Sequence, residues 1–226
     1  MNEEKKRLVK SIKLPLLFVV LMWMVKCAEI YFNVSVHEWG ILPLTFSGLK
    51  GVITSPLVHK DFNHLLSNTF PLLISSVGIF YFYPKIAYRA LAGMYLTTGL
   101  WIWCFARHSY HIGASGLVYA FVFFLFFSGV LRKDRAAMAI SLLVTFLYGS
   151  IVWGLLPVVE EVSWEAHLMG TLSGILFAWY YRNSGDPTPK HEWPAEEEGD
   201  EGMEFQEGNA EGEEDGTASN ALPHAG

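Results

Sequence analysis

Cysteine and charge are both scarce in this sequence. Only two of the 226 residues are cysteines, Cys27 and Cys104, and neither has a partner at metal-ligand spacing. They therefore argue for neither a zinc site nor a disulfide framework. Charged residues make up only 17% of the chain, whereas apolar residues make up 52% and aromatic residues 15%. Because an ordinary soluble core does not need so many apolar residues, the composition predicts a membrane protein.

The negative net charge of the chain comes from its last segment. Residues 184–226 hold 13 of the 22 acidic residues but only Lys190 of the 16 basic ones, which leaves a net charge of +6 for residues 1–183. The acidic runs EEEGDEG and EGEED alternate with Gly, Pro and Ala, so they contain too little apolar surface to offset the entropy of ordering. We expect residues 183–226 to form a disordered cytoplasmic tail that is dispensable for chemistry.

Apolar segments of about 20 residues, the length that crosses a bilayer core, recur along the rest of the chain. Six segments meet or approach this length, namely Leu14–Tyr31, His64–Tyr83, Ile86–Phe105, Ser115–Leu131, Ala136–Leu156 and Ala166–Tyr181. The sequence therefore predicts an all-α, polytopic membrane protein with a bundle of six transmembrane helices over residues 14–182. Residues 1–13 are expected to form a basic cytoplasmic N-terminus.

The distribution of Lys and Arg between alternate loops predicts the orientation of the bundle, since basic loops stay in the cytoplasm. One side carries most of the positive residues, namely Lys5, Lys6, Arg7, Lys10, Lys13, Lys85, Arg89, Arg132, Lys133, Arg135 and Arg182. The other side has Lys50, Lys60 and Arg107. Both termini are therefore expected in the cytoplasm, and the second, fourth and sixth helices begin at the outer side.

This orientation brings candidate catalytic side chains to one depth near the outer surface. Ser115 begins the fourth helix and His167 begins the sixth, and a histidine can take the proton of a serine hydroxyl near neutral pH. Gly113 and Gly116 flank Ser115 and allow a sharp entry into the helix. On the sixth helix small residues recur every four positions at Ala166, Gly170, Gly174 and Ala178, a spacing that lets two membrane helices approach closely.

Hydrogen-bond donors for a tetrahedral oxyanion are expected at the start of the second helix. His64 and Asn68 are four residues apart, so they lie on one helix face, and the Ser115 backbone N–H can complete the site. No acidic residue is obviously placed to orient His167, and Tyr119 is the better candidate because its ring can stack on the imidazole. Polar loop residues are expected to line a water funnel open to the outside, namely His59, Asn63, His108, Ser109 and His111.

Three motifs in combination resemble those of the rhomboid intramembrane serine proteases, over about Leu14 to Tyr181. The second-helix pattern His-x4-His-x3-Asn is matched by His59, His64 and Asn68, the fourth-helix Gly-x-Ser-Gly by Gly113, Ser115 and Gly116, and the sixth-helix His-x2-Gly-x3-Gly by His167, Gly170 and Gly174. The chain is similar to bacterial members with a six-helix core. It departs from many members in the first outer loop, where Leu49 and Lys50 stand near the usual Trp-Arg pair.

The resemblance implies a serine endopeptidase that cleaves other membrane proteins in or near their transmembrane segments, in the bacterial cytoplasmic membrane. It implies that Ser115 is the nucleophile, His167 the general base and then acid, and His64 and Asn68 the oxyanion donors. Tyr119 is implied to pack on His167, and His59 to be structural. The expected partners are transmembrane substrates and the lipid bilayer, with no cofactor, no metal and no nucleic acid.

Two alternatives belong to other classes of protein. The first is a non-proteolytic rhomboid-like protein that binds membrane clients, against which the retention of both Ser115 and His167 argues. The second is a metal or ion site built from histidines, namely His59, His64, His108, His111 and His167. The metal site is disfavoured because these histidines lack carboxylate or thiolate neighbours in the sequence.

Overall fold

The computed structural model describes residues 2–147, 154–156 and 163–184. Six long helices account for most of these residues, and we label them α1 (Glu3–Tyr31), α2 (Phe62–Phe82), α3 (Ala87–Phe105), α4 (Ser115–Arg132), α5 (Arg135–Leu147) and α6 (Trp164–Tyr180). A first loop joins α1 to α2 and contains short helical turns at His37–Trp39, Ser47–Lys50, Gly51–Thr54 and Ser55–Leu57.

The chain is an all-helical, polytopic membrane protein, as its composition predicts. Three of the described helices, α1, α2 and α4, are long and apolar enough to cross a membrane. Large apolar side chains remain exposed along the outside of the bundle, for example Leu17, Phe70 and Leu142. Hydrocarbon chains of lipid cover such a surface without the penalty that water would impose.

Helix α4 lies at the centre of the bundle, where it packs against α2, α3, α5 and α6. Its buried residues include Phe124 and Leu125, which are fully enclosed. Helix α1 packs on α2, and α3 packs on α6. The central helix therefore receives contacts on all sides, which fixes the position of its first residue, Ser115.

The ends of the helices differ from the predicted segments by more than two residues at two places. Helix α1 begins at Glu3 rather than Leu14, because hydropathy marks only the apolar part of a helix, and Glu3 and Lys6 support its first turns with an ion pair of 2.6 Å. The prediction that the fifth segment is helical as far as Leu156 is wrong, because residues 154–156 form a turn and a bend. Pro157 follows this turn and disfavours a helical conformation of the residue before it.

Two predicted regions lie wholly or partly outside the described residues. The acidic tail is outside them from residue 185 onward, and so are residues 148–153 and 157–162 around the end of the fifth segment.

The close approach of α4 and α6 generates a prediction about stability. A Cβ atom at Gly174 would overlap the backbone carbonyl of Ala120, whereas one at Gly78 on α2 would meet only side-chain atoms of Leu125 and Ile140, the nearest at 3.2 Å. We expect Gly174→Ala to destabilise the protein by about 1–3 kcal/mol because the backbones must separate. The measurement is the thermal unfolding midpoint in detergent.

Gly78→Ala is the matched control for this substitution, since it makes the same chemical change inside another helix. It should lower the midpoint much less, because the Leu125 side chain can shift while a backbone carbonyl cannot. Equal midpoints for the two variants would contradict the role given to the α4–α6 contact.

Candidate active site

The first turns of α2, α4 and α6 carry the candidate catalytic residues. Asp61 caps α2 by accepting a hydrogen bond from the backbone N–H of His64 at 2.8 Å, and this bond lowers the pKa of the exposed Asp61 carboxyl. Ser163 caps α6 through its hydroxyl, which accepts from the Ala166 N–H at 3.3 Å. Helices α2 and α6 therefore each start where the sequence supplies a capping side chain, within four residues of a candidate histidine.

Ser115 and His167 form a hydrogen-bonded pair. The Ser115 Oγ lies 2.9 Å from His167 Nε2, and His167 Nδ1 lies 2.8 Å from the backbone carbonyl of Gly154. A carbonyl only accepts, so Nδ1 carries the proton and the neutral ring presents an unprotonated Nε2 to the serine hydroxyl. The imidazole is thus held in the tautomer that a general base requires.

The ring of Tyr119 stacks on the face of the His167 imidazole. Its centroid lies 4.2 Å from that of His167, and the two planes are inclined by only 7°. Both side chains are buried, His167 with 7% exposure and Tyr119 with 4%. The stacking predicted from the sequence is present, and together with the Gly154 carbonyl it restricts His167 to one orientation.

The pair forms because the backbones of α4 and α6 touch. A Cβ atom at Gly170 would overlap the carbonyl oxygen of Gly116, one residue after Ser115. One turn further along, a Cβ atom at Gly174 would overlap the carbonyl oxygen of Ala120. Gly170 and Gly174, which belong to the predicted stripe of small residues, therefore lie at the helix contact. They follow His167 by three and seven positions.

His64 reaches the same region from α2. The backbone of Gly113 has φ +104, a conformation that favours glycine, and a Cβ atom there would lie 2.7 Å from both Nε2 and Cε1 of His64. This edge of the imidazole therefore faces the chain two residues before Ser115. The side chain is partly buried, as is that of Ser115.

Asn68 and the start of α4 supply further N–H groups. The Asn68 side chain is buried, and its Nδ2 donates to the backbone carbonyl of His64 at 2.7 Å. An amide nitrogen carries two hydrogens, so the second is available to another acceptor. No side chain caps the first turn of α4 within the described residues, so the Ser115 N–H is available as well.

His59 is enclosed next to His64. It is 2% exposed, and its ring centroid lies 5.0 Å from that of His64 at an angle of 67°. Neither ring nitrogen has a hydrogen-bond partner within the described residues. Burial, followed by the neighbouring His64, lowers the pKa of His59 to about 3, so the ring is neutral at ordinary pH.

The predicted water funnel is wrong for two of its five residues. His59 and His111 are 2% and 3% exposed, so they do not line an open channel, whereas Asn63 and His108 are exposed. His111 is held by its neighbours: Nδ1 lies 2.6 Å from Ser163 Oγ and Nε2 lies 3.0 Å from the Arg107 carbonyl. Its backbone also forms a β-bridge with Ile41 of the first loop. His111 therefore links the loop before α4 to the start of α6.

The five histidines of the proposed ion site, namely His59, His64, His108, His111 and His167, all lie among the residues that the structure describes. No group of three His, Cys, Asp or Glu side chains suited to a metal ion occurs among residues 2–147, 154–156 and 163–184. Glu165, the acidic residue nearest to His167 in sequence, pairs with Arg107 at 3.5 Å. The observed geometry therefore gives no support to the alternative of a histidine-based ion site.

Two contacts of the site were not predicted from the sequence. The Gly154 carbonyl on His167 has no residue signature, because every residue carries a carbonyl. Gly154 itself and Pro157 are the sequence signals that the chain can turn there. Lys26 lies buried in α1 and contacts the loop before His64, and a lysine within an apolar segment was a signal that could have identified it.

The burial of His59 predicts a pH-dependent stability. Because its pKa falls from 6.5 to about 3 on folding, the unfolded chain binds the proton first as the pH drops below 6.5. The contribution of neutral His59 to the free energy of unfolding should therefore be fully present above pH 6.5 and decrease toward pH 3. We expect the thermal midpoint of His59→Leu in detergent to fall less between pH 7.5 and 5 than that of the wild type. Identical falls would contradict a buried neutral His59.

The chain matches one family model and several relatives of uncharacterized function. A family model described as Rhomboid domain matches residues 47–184. The uncharacterized protein Rv1337 of Mycobacterium tuberculosis is 33% identical over 173 residues, which cover 73% of this chain and 72% of its own length. The uncharacterized protein ML1171 of Mycobacterium leprae is 30% identical over 183 residues, with coverages of 73% and 68%. No solved structure matches the chain at a significant level.

Proposed function

The chain belongs to the rhomboid family, and we propose that it is an intramembrane serine endopeptidase with Ser115 and His167 as its catalytic dyad. The observation that carries the proposal is the 2.9 Å contact between Ser115 Oγ and His167 Nε2, made by a ring whose Nδ1 donates to the Gly154 carbonyl. A serine hydroxyl that faces an unprotonated imidazole nitrogen is the arrangement that nucleophilic catalysis needs.

In the proposed reaction, Ser115 Oγ attacks the carbonyl carbon of a peptide bond while His167 Nε2 takes the hydroxyl proton. The C=O double bond becomes a C–O⁻ single bond, and the tetrahedral intermediate collapses when His167 gives its proton to the leaving amine. Water then attacks the acyl carbon while His167 Nε2 takes its proton. The bond from that carbon to Ser115 Oγ breaks, His167 returns the proton to Oγ, and the new carboxyl end is released. No cofactor enters this scheme.

The negative oxygen of the intermediate needs donors that are already in place. We assign this role to His64 Nε2–H, the second Asn68 Nδ2–H and the Ser115 backbone N–H. The support for it is that the His64 ring edge faces Gly113 and that no side chain of the described residues caps the first turn of α4. Tyr119 and Gly154 are positioning residues for His167, and His59 is a structural residue beside His64.

The proposed substrates are membrane proteins that cross or enter the same bilayer. Inside a bilayer the backbone groups of a helix are paired with one another, so a substrate helix must unwind before a carbonyl can reach Ser115. Substrates with small or helix-breaking residues near the outer interface are therefore expected to be cleaved best.

The catalytic proposal predicts the outcome of a cleavage assay. Purified protein in proteoliposomes should cleave a labelled model transmembrane substrate, and Ser115→Ala and His167→Ala should each lower kcat by roughly 10⁴-fold or more. Ser47→Ala is the control, because Ser47 is an exposed serine of the first loop, and its activity should equal that of the wild type.

Two outcomes would contradict the dyad. Cleavage that persists in Ser115→Ala would place the nucleophile elsewhere. A wild type that binds several transmembrane substrates but cleaves none would favour the non-proteolytic, client-binding function.

We further propose that the protein lies in the bacterial cytoplasmic membrane with both termini inside and the dyad near the outer face. The test uses single cysteines in a background in which Cys27 and Cys104 are replaced by Ser. Ser47→Cys in the first loop should react with a membrane-impermeant maleimide in intact spheroplasts, whereas Lys133→Cys between α4 and α5 should react only after permeabilisation. Both positions are exposed, and the reverse pattern would contradict this orientation.

A further inference from the structure

Lys26 is a buried cation to which the proposed mechanism gives no role. It lies in the apolar helix α1 and is 7% exposed. Its Nζ is 2.8 Å from Glu29 Oε2, 3.1 Å from the His59 carbonyl and 2.9 Å from the Lys60 carbonyl. An ammonium group has three hydrogens, so each can serve one of these acceptors. A charge at membrane depth that is so completely paired is a functional candidate by default.

One peptide group connects Lys26 to His64. The carbonyl of the His59–Lys60 peptide accepts from Lys26 Nζ, and the N–H of the same peptide, that of Lys60, donates to His64 Nδ1 at 3.5 Å. In a trans peptide these two groups point in opposite directions. The ammonium and the imidazole therefore lie at opposite ends of one dipole, and the positive charge at the oxygen end strengthens the N–H as a donor.

This contact favours the tautomer of His64 that carries its hydrogen on Nε2. A ring nitrogen that accepts a hydrogen bond is unprotonated, so the neutral imidazole has its proton on Nε2. The Nε2–Cε1 edge is the one that faces Gly113, two residues before Ser115. In the other tautomer a lone pair would face this region and would repel a developing negative oxygen.

The loop that contains this peptide is fixed at both ends. Glu29 holds the ammonium through Oε2 and accepts from the Val36 N–H at 3.3 Å through Oε1. On the other side, the Asp61 carboxylate accepts from the His64 N–H at 2.8 Å. The position of Lys26 is therefore transmitted to the first turn of α2 through a short segment whose His59 and Lys60 carbonyls and Asp61 carboxylate all accept hydrogen bonds.

We propose that Lys26 is a positioning residue that, through the His59–Lys60 peptide, holds His64 in the Nε2–H tautomer and so supplies the oxyanion donor. Its effect on rate depends on the proposed proteolytic function, whereas its effect on the His64 tautomer does not.

The kinetic test replaces Lys26 by Met, which keeps the length of the side chain and removes its charge and donors. We expect kcat on a transmembrane substrate to fall about tenfold or more with KM changed less than about twofold, a loss below the roughly 100- to 1000-fold of a missing oxyanion donor. Lys26→Arg keeps the charge and the donors and should recover part of kcat. Trp23→Phe is the matched control, because it removes another α1–α2 hydrogen bond, from Trp23 Nε1 to Thr69 Oγ1, and leaves the peptide untouched.

A double-mutant cycle separates positioning from general support of the fold. If Lys26 acts through His64, Lys26→Met should cause no further loss of kcat in a His64→Ala background. The same fold-loss in both backgrounds would overturn the proposal, as would a loss in Trp23→Phe as large as that in Lys26→Met.

A spectroscopic measurement decides the tautomer without any substrate. In protein labelled with ¹⁵N-histidine, the His64 signals are those that disappear in His64→Ala. The wild type should show a protonated Nε2, and Lys26→Met should show a mixture of the two tautomers. Unchanged His64 signals in Lys26→Met would overturn the proposal even if the wild type is a protease, whereas an inactive wild type with the expected signals would count against the proposed function alone.

Discussion

The contact between the backbones of α4 and α6 is the constraint on which the candidate site depends. Because Gly170 and Gly174 have no side chains, the two helices approach until backbone atoms of Gly116 and Ala120 touch them. At that separation a serine at the first position of α4 and a histidine in the first turn of α6 come within hydrogen-bond distance. In lipid the hydrophobic effect does not drive helices together, so close van der Waals packing of this kind is a main source of helix association.

Around this contact, buried polar groups hold the loops that carry the site. The Gly154 carbonyl fixes the His167 tautomer, the His111–Ser163 bond joins the loop before α4 to the cap of α6, and Lys26 holds the loop before α2. Each of these groups would be costly to bury alone, and each is paired with a backbone or side-chain partner. The candidate catalytic groups therefore stand on a framework whose polar members constrain one another.

Much of this arrangement could be predicted from the sequence, and the family and the all-helical membrane fold are confirmed. The structure brings His64, Ser115 and His167 together, as the helix period and residue types of their motifs predict, while their catalytic roles stay a prediction. The prediction that the fifth helix extends to Leu156 was wrong, because Gly154 lies in a turn and hydropathy does not detect turns in an apolar segment. The prediction that His111 lines a water funnel was also wrong. Its burial depends on how separate loops pack, as in its β-bridge to Ile41.

The most direct measurement of the dyad is the site of reaction with a serine-directed fluorophosphonate, located by mass spectrometry of the protein in detergent. Only a hydroxyl activated by a neighbouring base reacts quickly with such a reagent. A dyad predicts one adduct, on Ser115, in the wild type and no adduct in His167→Ala. An adduct on another residue, or labelling of Ser115 that is unchanged in His167→Ala, would contradict it.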